Sequence, residues 1–309
     1  MPKKVSVVIP VYDEAENVAV VAERISAEFE NSGYDYEIIF VDAGSTDNTL
    51  VELSKLSASN PHVFFISFSR NFGHQNALKA GLDHARGDCV ISMDGDLQHP
   101  PSLINEFLKY WELGYAIVYT IRDADSHSTW FKRTSSKMFY KAMSMMSEVD
   151  IEHGTADFRL LDRVVVDQLR KFPEVGPFYR GLVKWVGFKQ WSIKYKPGER
   201  HSGRTKYSLN KMLSLAMEGA TSFNTRPLMF SITMGFCFSF FSILIYLPYV
   251  IFMLSQRHHF PKWASLFTLI VFFGGLNLII LGIIGLYIGK LFMQAKSRPH
   301  YIVQKTNLA

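Results

Sequence analysis

The sequence predicts an α/β protein with a mostly parallel sheet, followed by two helices that cross a membrane. Over about the first 120 residues, short apolar runs alternate with segments whose apolar residues recur at helical spacing. This order is typical of a parallel sheet with helices on both faces. Two later apolar stretches, about 228–254 and 266–292, each exceed the roughly 20 residues that a spanning helix requires.

Five strands and four helices are predicted before residue 121. The strands are Val5–Val11, Tyr36–Val41, Val63–Phe68, Cys89–Met93 and Ala116–Thr120. The helices between them are Glu14–Glu30, Thr46–Ser57, His74–Ala85 and Pro101–Leu113. Polar residues and a glycine punctuate these elements: Asp13, Ser45 and Thr46 precede helices, and Gly87 follows one. Ligands of such sheets bind at the carboxyl ends of the strands, so we expect the functional site there.

Two amphipathic segments lie between this α/β domain and the apolar stretches. Segment 128–147 mixes basic residues with aromatic residues and methionines, which is typical of a helix in a membrane interface. Packing of the same face on the α/β domain is the alternative. Segment 207–225 leads into the first span. We therefore divide the chain into an α/β domain (1–206), a juxtamembrane helix (207–225) and two spans with a basic tail (226–309).

The distribution of basic residues predicts the orientation in the membrane. The loop between the spans is short, so the spans form a hairpin with both ends on one side. Lysines and arginines flanking the hairpin outnumber those in the loop, which places the α/β domain and both termini in the cytoplasm, at the inner membrane of a cell. Glycines crowd the second span and predict close helix packing, within the hairpin or in a homo-oligomer.

The formal net charge of +5 does not indicate a nucleic-acid partner. The basic residues gather beside the apolar segments, where a membrane surface or phosphate ligands explain them better. The two cysteines have neither disulfide-framework nor metal-ligand spacing, so a reducing compartment is expected. The N-terminal lysines precede a short β-branched run that ends in Pro10, and we interpret it as a first strand and not a signal peptide.

The sharpest local motif is Asp94-Gly95-Asp96-Leu97-Gln98, directly after the fourth predicted strand. In an extended segment, the side chains of Asp94, Asp96 and Gln98 project to one face. Two carboxylates and an amide oxygen suit Mg²⁺ or Mn²⁺ shared with the phosphates of a ligand, and they do not suit zinc. An acidic turn at the end of a strand is the alternative.

Neither a dinucleotide-binding nor a P-loop glycine motif follows the first strand. The first three strands instead end in Val8-Ile9-Pro10-Val11-Tyr12-Asp13-Glu14, Val41-Asp42-Ala43-Gly44-Ser45-Thr46-Asp47 and Ser69-Arg70-Asn71-Phe72-Gly73-His74. With the Asp94–Gln98 motif and the apolar helix pair, this order resembles the family-2 glycosyltransferases of the GT-A (Rossmann-like) fold over essentially the whole chain. It is most similar to the branch with dolichol-phosphate mannose synthase and the bactoprenol glucosyltransferases of the GtrB type.

The resemblance implies roles for particular residues on the donor side. The residues that it implies bind the nucleotide sugar are Pro10, Tyr12, Glu14, Asp42, Arg70, Gly73 and Asp94. Asp94, Asp96 and Gln98 correspond to the metal and diphosphate ligands, with Asp96 also counted as catalytic. The family usually has a second aspartate where this chain has Ala43, so a base contact is lost or taken over by Asp42.

On the acceptor side, the resemblance implies a polyisoprenyl phosphate partner. Asp157 corresponds to a proposed catalytic aspartate near the acceptor, and a structural partner of Arg159 is its alternative role. The phosphate of such a lipid is largely ionised at pH 7, so the need for a base is modest. Cations must instead relieve the charge crowding between two anionic substrates. The candidates are Arg122, Arg133, Arg159, Arg200 and Lys206, and Arg204 is a weaker one.

We therefore predict transfer of a hexose, with inversion and by single displacement, from a nucleotide sugar to undecaprenyl or another polyisoprenyl phosphate. UDP-glucose is the first choice, and N-acetylglucosamine, mannose or an amino-arabinose derivative are the alternatives. A processive polysaccharide synthase needs a Gln-x-x-Arg-Trp segment, and Arg180 to Trp185 reads only Arg-Gly-Leu-Val-Lys-Trp. A non-catalytic membrane scaffold would explain Ala43 but leave Asp94, Asp96 and Gln98 without a purpose.

Overall fold

A computed structural model describes most of the α/β part of the chain and one long C-terminal helix. The described residues are 2–30, 32–122, 154–174, 178–196 and 262–308, with isolated positions 233, 235, 237, 240 and 244. The predicted interface helix 128–147, the juxtamembrane segment 207–225 and nearly all of the first predicted span lie outside them.

The described strands form a single eight-stranded mixed sheet with the order β7-β5-β6-β4-β1-β2-β3-β8. The strands are β1 (Lys4–Val11), β2 (Asp35–Asp42), β3 (Val63–Phe68), β4 (Cys89–Ser92), β5 (Ile117–Arg122), β6 (Thr155–Asp162), β7 (Gln190–Tyr195) and β8 (Val303–Thr306). Strands β1 to β4 are parallel to one another, as predicted, and β7 runs parallel to β5. Strands β6 and β8 pair antiparallel with their neighbours.

Helices cover both faces of the sheet. They are α1 (Val18–Phe29), α2 (Thr49–Ser59), α3 (His74–His84), α4 (Leu103–Glu112), α5 (Arg163–Arg170) and α6 (Tyr179–Trp185). Helices α1, α2 and α4 pack on one face, and α3, α5 and α6 pack on the other. Strand β1 serves both layers because successive side chains alternate: Val7 and Ile9 lie in the first core and Val8 in the second.

The contact between α3 and β1 depends on a missing side chain. A Cβ atom at Gly81 would lie 2.1 Å from a methyl carbon of Val8, well inside van der Waals contact. Glycine inside a helix costs about 1 kcal/mol relative to alanine. Here it allows α3 to approach the sheet closely, and the first turn of α3 reaches the carboxyl end of the strands.

The sheet departs from a simple strand–helix repeat at β6. This strand lies between β4 and β5, antiparallel to both, so β5 does not extend the parallel ladder next to β4. We predicted no elements for residues 154–196, where the structure has β6, α5, α6 and β7. Strand β6 carries Asp157 and Arg159 to the end of β4, and Ser92 pairs with Arg159 in the register.

The chain ends in a long apolar helix and a strand that joins the sheet. Helix α7 (Lys262–Ala295) contains the stretch Phe272–Ala295, which has a mean hydropathy of 2.0 over its most apolar window and is not buried by protein. Among the described residues it is the one helix long and apolar enough to cross a membrane. After α7, β8 pairs antiparallel with the edge of β3, so the tail that we predicted only as basic is also part of the sheet.

Candidate active site

A polar pocket lies where β1, β2 and β3 end. Its lining combines loops after all three strands with one residue of the C-terminal tail. The lining residues are Tyr12, Asp42, Gly44, Ser45, Thr46, Leu50, Ser67, Phe68, Ser69, Arg70, Asn71 and Gln304. Carboxyl ends of parallel strands are the usual position for a bound nucleotide in open α/β sheets. Three of the predicted nucleotide residues, Tyr12, Asp42 and Arg70, therefore share one pocket.

Asp42 is fixed at the base of this pocket. Its side chain is buried, and its carboxylate accepts hydrogen bonds from the Ser45 backbone N–H at 2.9 Å and from the Ser67 hydroxyl at 2.8 Å. The neighbouring Gly44 has φ +79°, and a Cβ there would lie 2.6 Å from the Arg70 backbone. Only glycine therefore lets the second and third loops come this close.

The first and second loops are tied together through Asp13. The Asp13 backbone N–H donates to the Ser45 hydroxyl at 2.9 Å, and its carboxylate accepts from the Thr46 N–H at 2.8 Å. Asp13 has φ +51°, a left-handed conformation that aspartate tolerates better than most residues. These contacts hold the side of the pocket that Tyr12 lines.

The Asp94–Gln98 motif follows β4 at the same edge of the sheet. It is not extended, as we had assumed: Gly95 and Asp96 form a turn and Leu97 has φ +63°. Asp96 is 7% exposed and its carboxylate accepts from the Gln98 N–H at 3.1 Å, whereas the Asp94 side chain is 31% exposed. The turn thus holds Asp96 inward and leaves Asp94 open to a ligand.

His99 supports this turn from below. It is fully buried, its ring stacks on Phe158, and its Nδ1 accepts from the Asp94 N–H at 3.0 Å. Burial lowers the pKa of the imidazole, which disfavours its charged form. Nε2 lies 3.6 Å from the Asp94 carboxylate and 3.3 Å from a guanidinium nitrogen of Arg122.

The donor set of this loop fits a hard divalent cation. Asp94, Asp96 and Gln98 offer only oxygen atoms, the ligands that Mg²⁺ and Mn²⁺ prefer. Among the described residues, no group of three His, Cys, Asp or Glu side chains forms a ready-made metal cage. Two carboxylates and an amide match an ion that takes its remaining ligands from water and substrate phosphates.

A buried ion-pair cluster lies beside this loop. The Asp157 carboxylate, 6% exposed, accepts from Arg159 at 2.8 Å and from two nitrogens of Arg180 at 3.1 and 2.8 Å. Burial raises the pKa of Asp157, but the two guanidinium groups outweigh it and hold the pKa well below its usual range. Asp157 is therefore an ionised partner of two arginines at neutral pH.

The two arginines of this cluster differ in exposure. Arg159 is 2% exposed and also donates to the backbone carbonyl of Ala156 at 3.0 Å, so it is part of the folded framework. Arg180, at the start of α6, is 30% exposed. His74, at the start of α3, is 42% exposed and its Nε2 lies 3.7 Å from Asp94 and 3.9 Å from Asp157. His74 thus lies between the carboxylate loop and the arginine cluster.

The remaining predicted site residues have varied positions. Arg122 lies at the end of β5, where its Nε donates to the Tyr195 hydroxyl at 3.0 Å. Glu14 accepts from the Asn17 amide at 2.5 Å, outside the pocket lining. Pro10 is buried within β1, and Gly73 precedes α3 with φ +92°. Arg133, Arg200, Arg204 and Lys206 lie outside the described residues.

Three residues at this edge were not predicted as site residues. We interpreted His74 as a pocket-lining or surface residue. Arg180 lies in the Arg180–Trp185 segment, which does not match the motif of a processive synthase, and we predicted no role for it. Gln304 lies in the tail, some 230 residues from the loop that it faces. No local sequence pattern marks Arg180 or Gln304, because strand pairing and helix packing bring them to the site.

The fold and the site define an enzyme class. A pocket beside paired carboxylates, at the carboxyl edge of a GT-A-like sheet, is typical of enzymes that transfer a sugar from a nucleotide. The family profile "Glycosyl transferase family 2" matches residues 6–170, more than half of the chain. The chain belongs to glycosyltransferase family 2 and is a glycosyltransferase.

Curated relatives match almost end to end. An uncharacterized glycosyltransferase, YkcC, of Bacillus subtilis is 42% identical over 97% of this chain and 93% of its own length. The SfII prophage-derived bactoprenol glucosyl transferase of Shigella flexneri is 37% identical over 98% of each chain. Among solved structures, the mannosyltransferase PcManGT of Pyrobaculum calidifontis, in complex with GDP-Man and Mn²⁺, has a TM-score of 0.51 and 19% identity. That match covers 71% of this chain and 63% of the other, and it supports the fold.

Proposed function

We propose that this enzyme transfers a hexose to a polyisoprenyl phosphate at the cytoplasmic face of a membrane. Glucose, from UDP-glucose, is the first choice of sugar. The observation that carries the proposal is the meeting of three features at one sheet edge. These are the pocket at the ends of β1 to β3, the carboxylates of Asp94 and Asp96, and the nitrogen-bearing side chains of Arg180 and His74. Full-length relatives named bactoprenol glucosyl transferases support the choice of sugar and lipid.

On the donor side, the pocket between Tyr12 and Arg70 holds the nucleoside, and the diphosphate extends toward Asp94. When bound, Mg²⁺ or Mn²⁺ on Asp94, Asp96 and Gln98 supplies positive charge that stabilises the departing diphosphate. The turn at Gly95 and the hydrogen bond from the Gln98 N–H keep Asp96 oriented for this role. His99 fixes the backbone of Asp94 from the buried side.

On the acceptor side, Arg180 and His74 hold the lipid phosphate. Both are partly exposed and both lie beside Asp157, which orients the Arg180 guanidinium through two hydrogen bonds. The arginine contacts favour the ionised form of Asp157, so it positions Arg180 and does not take a proton from the acceptor. A phosphate monoester is already largely ionised at pH 7 and needs no base.

The reaction is a single displacement at the anomeric carbon. An oxygen of the lipid phosphate forms the new bond to this carbon from one side, while the bond to the nucleoside diphosphate breaks on the other. The products are a glycosyl monophosphoryl lipid with inverted configuration and a nucleoside diphosphate. The residues of this site contribute orientation and charge stabilisation, the terms that dominate when both substrates are anionic.

The connectivity of the sheet supports two membrane crossings. Strands β7 and β8 belong to the same sheet, and α7 lies between them in the chain. A chain that leaves a domain and returns to it must cross a membrane an even number of times. If α7 crosses once, a second crossing must lie between residues 197 and 261, which is where the sequence predicts the span 228–254. Both termini and the α/β domain then share the cytoplasmic side.

A donor panel tests the proposal. The detergent-solubilised full chain is incubated with undecaprenyl phosphate, Mg²⁺ or Mn²⁺, and radiolabelled UDP-glucose, UDP-N-acetylglucosamine, GDP-mannose or a UDP-amino-arabinose derivative. We expect labelled lipid, released by mild acid, with UDP-glucose above all others, and its loss in excess EDTA. Labelled lipid formed mainly from another donor would show that its sugar, and not glucose, is the one transferred. The absence of labelled lipid from every donor would contradict the lipid acceptor.

A further inference from the structure

The C-terminal strand contributes an unassigned residue to the nucleotide pocket. In the β3–β8 ladder, Ser67 pairs with Lys305 and Phe68 pairs with Val303, so Gln304 is an extra residue without a partner in the register. This arrangement is a β-bulge, a device that redirects a side chain beside an active site. The exposed Gln304 lines the pocket together with Asp42, Ser69 and Arg70.

Contacts on both sides of the bulge fix its position. Before it, Tyr301 stacks on Phe68 with ring centroids 5.1 Å apart, and its hydroxyl donates to Asp83 at 3.1 Å. After it, the Thr306 hydroxyl donates to the Phe65 carbonyl at 2.8 Å, and the Asn307 side chain accepts from the Phe65 N–H at 2.7 Å. The tail is therefore docked along the whole strand, and Gln304 is held at the pocket.

The chemistry of the pocket leaves a role for an amide at this position. Ala43, where a second aspartate would be expected, is apolar and 4% exposed, so it offers no side-chain hydrogen bond to a base. Asp42 already accepts two protein hydrogen bonds. A glutamine amide carries both a donor and an acceptor, which complement the adjacent carbonyl and N–H of a uracil edge.

We propose that Gln304 hydrogen-bonds the base of the donor nucleotide, so that the strand following the membrane helix completes the nucleotide site. The proposal rests on the proposed function for the presence of a nucleotide donor, and it adds a residue that recognises the base. Only five residues separate the end of α7 at Ala295 from Tyr301, so the base contact is placed close to the membrane anchor.

Nucleotide binding to the full chain tests this proposal directly. Calorimetry compares UDP with ribose 5-diphosphate, which lacks a base, for the wild type and for Gln304→Met, which keeps the length of the side chain and removes the amide. We expect UDP to bind about three- to tenfold more weakly to the variant, the effect of losing one or two neutral hydrogen bonds. Binding of ribose 5-diphosphate should not change.

Ile302→Ala is the matched control, because Ile302 is 52% exposed on the same tail and does not line the pocket. Its UDP affinity should equal that of the wild type. Equal losses for UDP and ribose 5-diphosphate in Gln304→Met, or no loss for either, would overturn the proposal. If the wild type prefers GDP or CDP, the donor assignment fails while the same comparison, run with that nucleotide, still decides the role of Gln304.

Discussion

In the proposed mechanism, side chains at the carboxyl edge of the sheet divide into a donor group and an acceptor group. Asp94 and Asp96 form the first, and Arg180 with Asp157 forms the second. His74 lies between them, within 3.9 Å of a carboxylate on each side. In that mechanism the two anionic substrates meet at His74, so substitutions on the two sides should differ in their effects on activity and stability.

Asp96→Ala is expected to abolish glycosyl transfer, with at least a hundredfold loss, because it removes a charged metal ligand. Folding should change less than activity, since the lost hydrogen bond from the Gln98 N–H contributes about 1 kcal/mol. Lipid-linked product and thermal unfolding measure the two effects. Asp35→Ala, at the exposed start of β2, is the control. Full activity in Asp96→Ala would refute the metal assignment.

Asp157→Asn should mainly lower the stability of the protein, whereas Arg180→Gln should mainly lower its activity. Loss of the Asp157 charge leaves Arg159 buried and uncompensated, so the free energy of unfolding should fall by about 3 kcal/mol. Arg180 is 30% exposed, so Arg180→Gln should cost less stability and mainly raise the KM for the lipid phosphate. Urea unfolding and steady-state kinetics measure these changes. Equal stability losses would mean that Arg180 is also structural.

Because the pKa of Asp157 is lowered, neither stability nor activity should change with its titration near neutral pH. A carboxyl whose pKa is lower in the folded state contributes stability above its unfolded pKa, near 4, and loses it as the pH falls toward the folded value. Between pH 5 and 8 this contribution is constant. The acid limb of the activity profile should therefore follow the second ionisation of the lipid phosphate, near pH 6. A limb that moved in Asp157→Glu would instead identify Asp157 as the base.

At the scale of elements, the position of α3 on β1 is decisive for the site. This helix carries His74 at its first turn and rests on Val8 through Gly81. Its approach is set by one absent methyl group. The sequence shows Gly81 inside a helical pattern, but it does not show which strand residue lies opposite.

Gly81→Ala is expected to lower the free energy of unfolding by about 1–3 kcal/mol, because the added methyl group would overlap Val8. This loss should exceed the gain in helix propensity of about 1 kcal/mol. The double variant Val8→Ala/Gly81→Ala should be more stable than the sum of the single effects predicts, since the smaller Val8 side chain makes room. Denaturant unfolding of the three variants measures the coupling. Strict additivity would show that the two positions do not meet.

At the scale of the whole molecule, the tail joins the long apolar helix α7 to the sheet. Strand β8 covers the edge of β3, an edge that would otherwise be open to pairing with another chain. Helix α7 also contacts the α/β domain, since the Gln294 amide donates to the Pro173 carbonyl at 2.8 Å. Contacts at the end of α7 thus tie this apolar helix to the α/β domain.

Cysteine labelling in intact cells tests the two-span topology. The background is Cys237→Ser, and Cys89 is buried and shielded. We expect a membrane-impermeant maleimide to label Ser255→Cys, in the loop between the spans, from outside. Ala309→Cys, beyond the docked strand, should react only after the cells are opened. Labelling of both positions from the same side would contradict the hairpin.

The sequence by itself determined the parallel strands β1 to β4, the apolar C-terminal helix and the Asp94–Gln98 motif. These features are local: alternation, length and adjacent residues produce them directly. Their order was also sufficient to indicate the family.

The tertiary structure decided the rest of the site. Strand β6 lies between β4 and β5, and Asp157 pairs with Arg180. Gln304 lies beside the loop that follows β3. The turn that contains Leu97 also replaced the extended geometry that we had assumed. Each of these depends on contacts between distant segments, where burial and hydrogen bonding outweigh local preference, so no short window of sequence contains them.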